Sequence, residues 1–121
     1  MDAVENYAEL ARQNDYFRQT IVTGEHAQVV VMTIQPGEDI GEETHEGDQI
    51  LFFVEGECEA VLDGRSSRAG PSDMVFVPAG TLHNFINTGS EPLRLVTTYA
   101  PPEHPDGTVH RTKAEAEAAE H

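Results

Sequence analysis

Residues 48–64 read DQILFFVEGECEAVLDG, and this stretch decides the fold. Ile50 to Val54 is an unbroken apolar run built from the branched and aromatic side chains that suit a pleated strand. Gly56 interrupts it, CEAVLD follows as a second β-rich segment, and Asp63-Gly64 can take the positive φ of a tight hairpin. In the first run Gln49, Leu51 and Phe53 share one face and Ile50 and Phe52 the other. Working outward, similar short segments recur as FRQTIV (17–22), HAQVVVMTI (26–34), DMVFVPA (73–79), TLHNFIN (81–87) and PLRLVTTY (92–99). Pro36-Gly37, Gly47, Gly70-Pro71, Pro78, Gly80 and Gly89 fall in the breaks between segments. Seven or eight closely spaced strands without intervening helices predict an all-β sandwich or barrel.

The two ends differ from this middle. Val4, Tyr7, Ala8 and Ala11 recur at helical spacing, so residues 1–16 are expected to form a short helical segment, with Asp2 as its cap and Glu5 completing a capping box. Residues 17–100 form the predicted barrel. Residues 101–121 open with PPEHPDGTVHRT, too rich in proline and turn formers for a central strand, and end in KAEAEAAE, which has high helix propensity but almost no apolar stripe and reads as a frayed helix or tail. His121 carries no assignment.

With 7 basic and 22 acidic residues the formal charge is −15. Such a field repels phosphate backbones and anionic lipid, which argues against nucleic-acid and membrane partners. The composition, with Lys113 the only lysine, resembles that of salt-accumulating halophiles; an ordinary acidic soluble protein with a charged tail is the plainer account. No apolar run reaches the length of a membrane span, and the start MDAVEN has neither a basic region nor an apolar core, so a cytoplasmic location is expected. One cysteine, Cys58, excludes an internal disulfide framework and reads as a small hydrophobe.

Two spaced motifs carry the chemistry. The first is Gly37, five residues, Glu43, one residue, His45, three residues, Gln49, six residues, Gly56; the second runs from Gly70 to Asn87 and contains Pro78-Ala79-Gly80-Thr81-Leu82-His83. In regular strands Glu43 and His45 would share a face, as would His83, Phe85 and Asn87. Two imidazoles, a carboxylate and an amide oxygen suit one divalent transition ion such as Mn, Fe, Zn or Ni, with positions left open for water or substrate. Periodicity alone leaves open whether these four residues converge.

The order and spacing of the two motifs, over about Phe17 to Tyr99, resemble a small single-domain cupin, a β-barrel with a jelly-roll fold. The resemblance implies a metal site at Glu43, His45, Gln49 and His83. Glu43 stands where the family normally has its first histidine, and Gln49 replaces the usual glutamate. The donor set still contributes a formal −1, because the carboxylate has moved and not vanished. Gln49 is the weak member: a neutral amide either binds the ion poorly or holds a bound water or substrate.

Phe53, Phe76 and Phe85 are expected in the core, with Phe53 and Phe85 candidates for an apolar pocket wall above the ion. Asn87 is read as a turn-stabilising residue or one orienting the ligands from behind. Gly37, Gly56 and Gly80 are read as relieving backbone crowding at turns. His104 and His110 lie outside both motifs, in an extension expected to pack along the barrel, across a dimer, or over the barrel mouth. The resemblance also makes a homodimer the expected assembly, its apolar cover needed by Ile50 and Phe52 unless the N-terminal segment supplies it. Functionally, the sequence points to a metal-dependent cupin that acts on or binds a small organic molecule inside the barrel, enzyme or sensor; the alternative is a non-catalytic ligand-binding or structural cupin with a structural or adventitious metal. A phosphorylated substrate is disfavoured, since Arg65 and Arg68 read as turn residues and Lys113 as part of the tail.

Overall fold

Alternating burial along β-rich segments closes two antiparallel sheets on a shared interior. The structure, a computed structural model, describes residues 4–119. Its elements are α1 (Tyr7–Gln13), β1 (Arg18–Thr23), β2 (Gln28–Ile34), β3 (Asp48–Glu55), β4 (Cys58–Leu62), β5 (Arg65–Ala69), β6 (Met74–Val77), β7 (His83–Asn87), β8 (Leu93–Ala100), β9 (Val109–His110) and α2 (Lys113–Ala119). A six-stranded sheet runs β6-β3-β8-β2-β1-β9 and faces a three-stranded sheet ordered β5-β4-β7. The inward residues form one apolar core that includes Met32, Ile34, Leu51, Phe53, Ala60, Phe85 and Leu95. Full burial of a side chain such as Phe53 stabilises the fold by roughly 2–3 kcal/mol.

A second apolar cluster lies on the outer face of the larger sheet, where Ala11 of α1 packs with Val31, Val54, Phe52 and Val96. The N-terminal helix therefore supplies the cover that Phe52 needs. That helix begins later than the sequence suggests: Asn6 is its cap, with its side-chain oxygen accepting from the Glu9 N–H at 3.0 Å. Asn6 and Glu9 thus take the places assigned to Asp2 and Glu5, because asparagine three residues before a first-turn glutamate caps at least as well. Asp2 lies outside the described residues, Glu5 precedes the helix, and Val4 is 93 % exposed instead of packing on the stripe.

Three more expectations need correction. β5 was read as a turn because RSSR has no apolar alternation; it is an exposed edge strand, joined to β4 through Asp63 and Gly64, whose φ angles of 48° and 81° make the expected hairpin turn. Phe76 is 53 % exposed on the outer face of β6, opposite Ile50, and so is not a core residue. The 113–119 segment is the helix of its two expected forms, but it is docked and not frayed or a tail: Ala116 is small enough to bury against the core, and Lys113 pairs with Asp39, whose carboxyl it holds below the ordinary range. Before it, Val109–His110 adds only a two-residue edge to β1. Gly37, Gly56 and Gly80 all have positive φ, but crowding occurs only at Gly56, where a Cβ would come within 2.7 Å of the Pro92 carbonyl oxygen.

Candidate functional site

Glu43 and His83 are joined by an isolated antiparallel bridge, with Glu43 N–H donating to the His83 carbonyl and His83 N–H to the Glu43 carbonyl, both at 3.0 Å. This corrects the expectation of a strand through Glu43 and His45: the segment is a loop, and backbone pairing across the barrel, not a period of two, sets its side chains. The Gly80 N–H donates to the His45 carbonyl at 2.9 Å, tying the loop to the turn after Pro78. β7 behaves as expected, with His83, Phe85 and Asn87 alternately buried. One ligating atom from each of Glu43, His45 and His83 falls within 4.8 Å of the others.

His83 is 2 % exposed and its Nδ1 lies 2.9 Å from the Thr81 carbonyl oxygen. A carbonyl can only accept, so Nδ1 carries the proton and the Nε2 lone pair is left facing the cluster without a hydrogen-bond partner. His45 Nε2 stands 3.3 Å from Glu43 Oε1 and its Nδ1 3.1 Å from Glu103 Oε1, close enough for ion pairing yet not aligned as hydrogen bonds. Burial pulls the His45 pKa down, but the two carboxylates outweigh it and the net shift is upward. Burial likewise pushes Glu43 up, and His45 reverses that, leaving its carboxyl below the ordinary value.

Gln49 is buried in the same interior. Its Nε2 donates to Thr97 Oγ1 at 3.0 Å, and its Oε1 has no partner. Phe85 packs with its ring centroid 6.0 Å from that of His83, and Phe53 lies beyond it at 5.9 Å, both wholly inside the core. Asn87 serves the turn: its Nδ2 donates to the Ile34 and Glu91 carbonyls, and its Oδ1 accepts from the Gly89 N–H. Cys58 is buried, and burial with Asp73 nearby pushes its thiol up to about 12.

The extension after β8 crosses the mouth of this interior, the third of its expected positions. Gln28 holds it: Oε1 accepts from the Glu103 and His104 N–H groups, while Nε2 donates to the His104 carbonyl. Glu103 thereby reaches His45, and His104 packs edge-on to Tyr99, which packs edge-on to His45. The sequence reading missed Glu103, Gln28 and Arg18. It also placed no basic group near the motifs, whereas Arg18 and Lys113 line a cavity of about 160 Å³ together with Glu43. The one signal available for Arg18 is its place in FRQTIV, where strand alternation sets it opposite the core residue Met32.

The sequence profile of the Cupin domain matches residues 30–99. YrkC of Bacillus subtilis is 46% identical over 125 aligned residues, spanning 97% of this chain and 67% of that protein. A crystal structure of a Bacillus halodurans protein superposes with a TM-score of 0.94 at 42% identity, covering 98% of this chain and 95% of that one. An acireductone dioxygenase of Parvibaculum lavamentivorans is 44% identical over 57 residues, 44% of this chain and 30% of the enzyme.

Proposed function

The chain belongs to the cupin family, and on that premise we propose that it binds one divalent transition ion through Glu43, His45 and His83, with Gln49 in a weaker fourth position, and receives a small organic molecule beside the ion. His83 carries the reading. A buried imidazole whose Nδ1 is committed to a carbonyl, and whose Nε2 has no partner but lies among a carboxylate and a second imidazole, fits a cation better than it fits a packed core. The free Oε1 of Gln49 adds an acceptor of the right type, its amide oriented by Thr97. An ion held by three or four such donors keeps open positions and would polarise an oxygen ligand and lower the pKa of a bound hydroxyl. The chain's own part is to keep Glu43 ionised, to fix the His83 tautomer, and to shelter the site beneath Tyr99 and the Glu103–His104 crossing. The partial likeness to a dioxygenase supports a catalytic role over a purely structural one.

Metal analysis of protein purified without added metal tests the proposal. The expected result is close to one manganese, iron, zinc or nickel ion per chain, with most of it lost in both His45→Ala and His83→Ala. Full retention in both variants would sink the site.

A further inference from the structure

Arg18 is a buried cation that no carboxylate among the described residues meets in an ion pair, although its charge reaches Glu43 and helps hold that carboxyl below its ordinary value. It is 4 % exposed, and its strand register sets it opposite the core residue Met32 on one side and His110 on the other. Its Nη1 donates to His110 Nδ1 at 2.9 Å, its guanidinium lies 5.2 Å from the Phe17 ring centroid, and its Nε has no hydrogen-bond partner. Among the described residues no carboxylate comes within ion-pairing distance of it, whereas Arg12, Arg68 and Arg94 each have one. Arg65 and Arg111 also lack a carboxylate partner among the described residues, but both are exposed to water, and Arg18 is the buried one. Arginine cannot shed its charge, so a buried guanidinium whose Nε has no partner still has a charged donor to offer an acceptor.

Two small cavities meet at this side chain. One, of about 160 Å³, is lined by Arg18, Glu43, Ile40 and Lys113; the other, of about 210 Å³, by Arg18, His104, His110 and Thr108. The first joins the guanidinium to a residue of the proposed ion site. Lys113 is already neutralised by Asp39.

We propose that Arg18 anchors the carboxylate of a small organic acid, which extends from there toward Glu43, His45 and His83. This rests on the reading of those three residues as the ion site. With one nitrogen committed to His110, the guanidinium still offers donors to a planar monoanion, the geometry that suits a carboxylate. A phosphate dianion fits less well, since Glu42, Glu43 and Glu117 face the same cavity.

Titration calorimetry on the full chain, with manganese(II) added and again after chelation, tests the anchor with acetate, lactate, pyruvate and 3-hydroxypropionate, each against its amide, and with inorganic phosphate. At least one acid should bind tenfold or more tightly than its amide and than phosphate. Arg18→Gln should erase that preference while leaving manganese content at the wild-type level; Arg18→Lys, which keeps charge without the planar fork, should retain part of it. The Arg18 Nε–H signal in a nitrogen-15 spectrum should move with the acid and not with the amide, which reads the wild-type protein even if Arg18→Gln does not fold. An acid preference that persists after chelation, in a protein that never holds manganese, would sink the ion site and leave the anchor standing. Binding of none of the acids, equal binding of acid and amide, tighter binding of phosphate, or an unchanged preference in Arg18→Gln overturns the anchor.

Discussion

Glu43 and His83 meet twice, once through a pair of backbone hydrogen bonds at 3.0 Å and once through side chains whose ligating atoms come within 4.8 Å. The first contact does not depend on the second, so the carboxylate can be altered without opening the bridge. Glu43→Gln should therefore fold with an unchanged circular dichroism spectrum while its affinity for the ion falls by about tenfold or more, because a neutral amide replaces the anionic donor. Competition against a chelating dye measures this; equal affinity would remove Glu43 from the ligand set.

Gln49 presents the opposite case, a neutral donor whose removal leaves the stronger ligands in place. Its amide is oriented by one hydrogen bond, Nε2 to Thr97 Oγ1. Gln49→Ala should retain most of the metal, and Gln49→Glu should tighten it while weakening the hold on an anionic ligand, since a second negative charge then faces that ligand. Complete loss of metal in Gln49→Ala would instead make Gln49 an essential ligand.

The part of the site legible in the sequence is the part carried by short spacings. Glu43, His45 and Gln49 sit within seven positions of one another, and His83 follows a Pro-x-Gly turn, so the motifs can be read before folding. What encloses them comes from pairings across the chain that no local pattern records: Gln28 holds the backbone at Glu103 and His104, and Arg18 meets His110. Elements rich in branched and aromatic side chains, such as β3 and β7, are visible for the same reason that β5 is not. An edge strand written RSSRA has two solvent-facing sides and nothing to alternate. The docking of α2 escaped notice because a single alanine, Ala116, makes the core contact.

His104 gives the protein a pH dependence of known sign. Burial, then the Arg18 charge, pulls its pKa from 6.5 to about 4; His110 and His45 act the same way and Glu43 opposes them. Between these values the unfolded chain binds a proton that the folded chain does not, so the stability this group provides is complete above pH 6.5 and is lost as pH falls toward 4. The His45 pKa moves upward, so its contribution changes above the same window. In metal-free protein, His104→Phe keeps an aromatic edge against Tyr99, and its melting temperature should fall less than that of wild type from pH 6.5 to 4. Parallel curves would show that His104 is not held neutral.

A homodimer is the expected assembly, formed through the outer face of the larger sheet. α1 covers Phe52 but leaves Met74 at 64 % and Phe76 at 53 % exposure, the latter opposite Ile50 on β3. Light scattering at micromolar concentration should report about 27 kDa, twice the 13.3 kDa chain, and Phe76→Asp should shift that toward the monomer. A monomer mass for the wild type across a dilution series would reject the dimer.

Seven basic residues cannot neutralise twenty-two carboxylates, so the charge of −15 is concentrated when the chain folds. Pairs such as Arg94 with Glu55 weaken as salt is added, but they are few against the repulsion that salt also screens. The balance favours the compact state, and the melting temperature should rise as potassium chloride goes from low to molar concentration. Because a bound ion also shifts apparent stability, the comparison requires the same metal content at every salt concentration. A flat or falling curve at fixed metal content would mean that the surface carboxylates are spaced widely enough not to oppose folding.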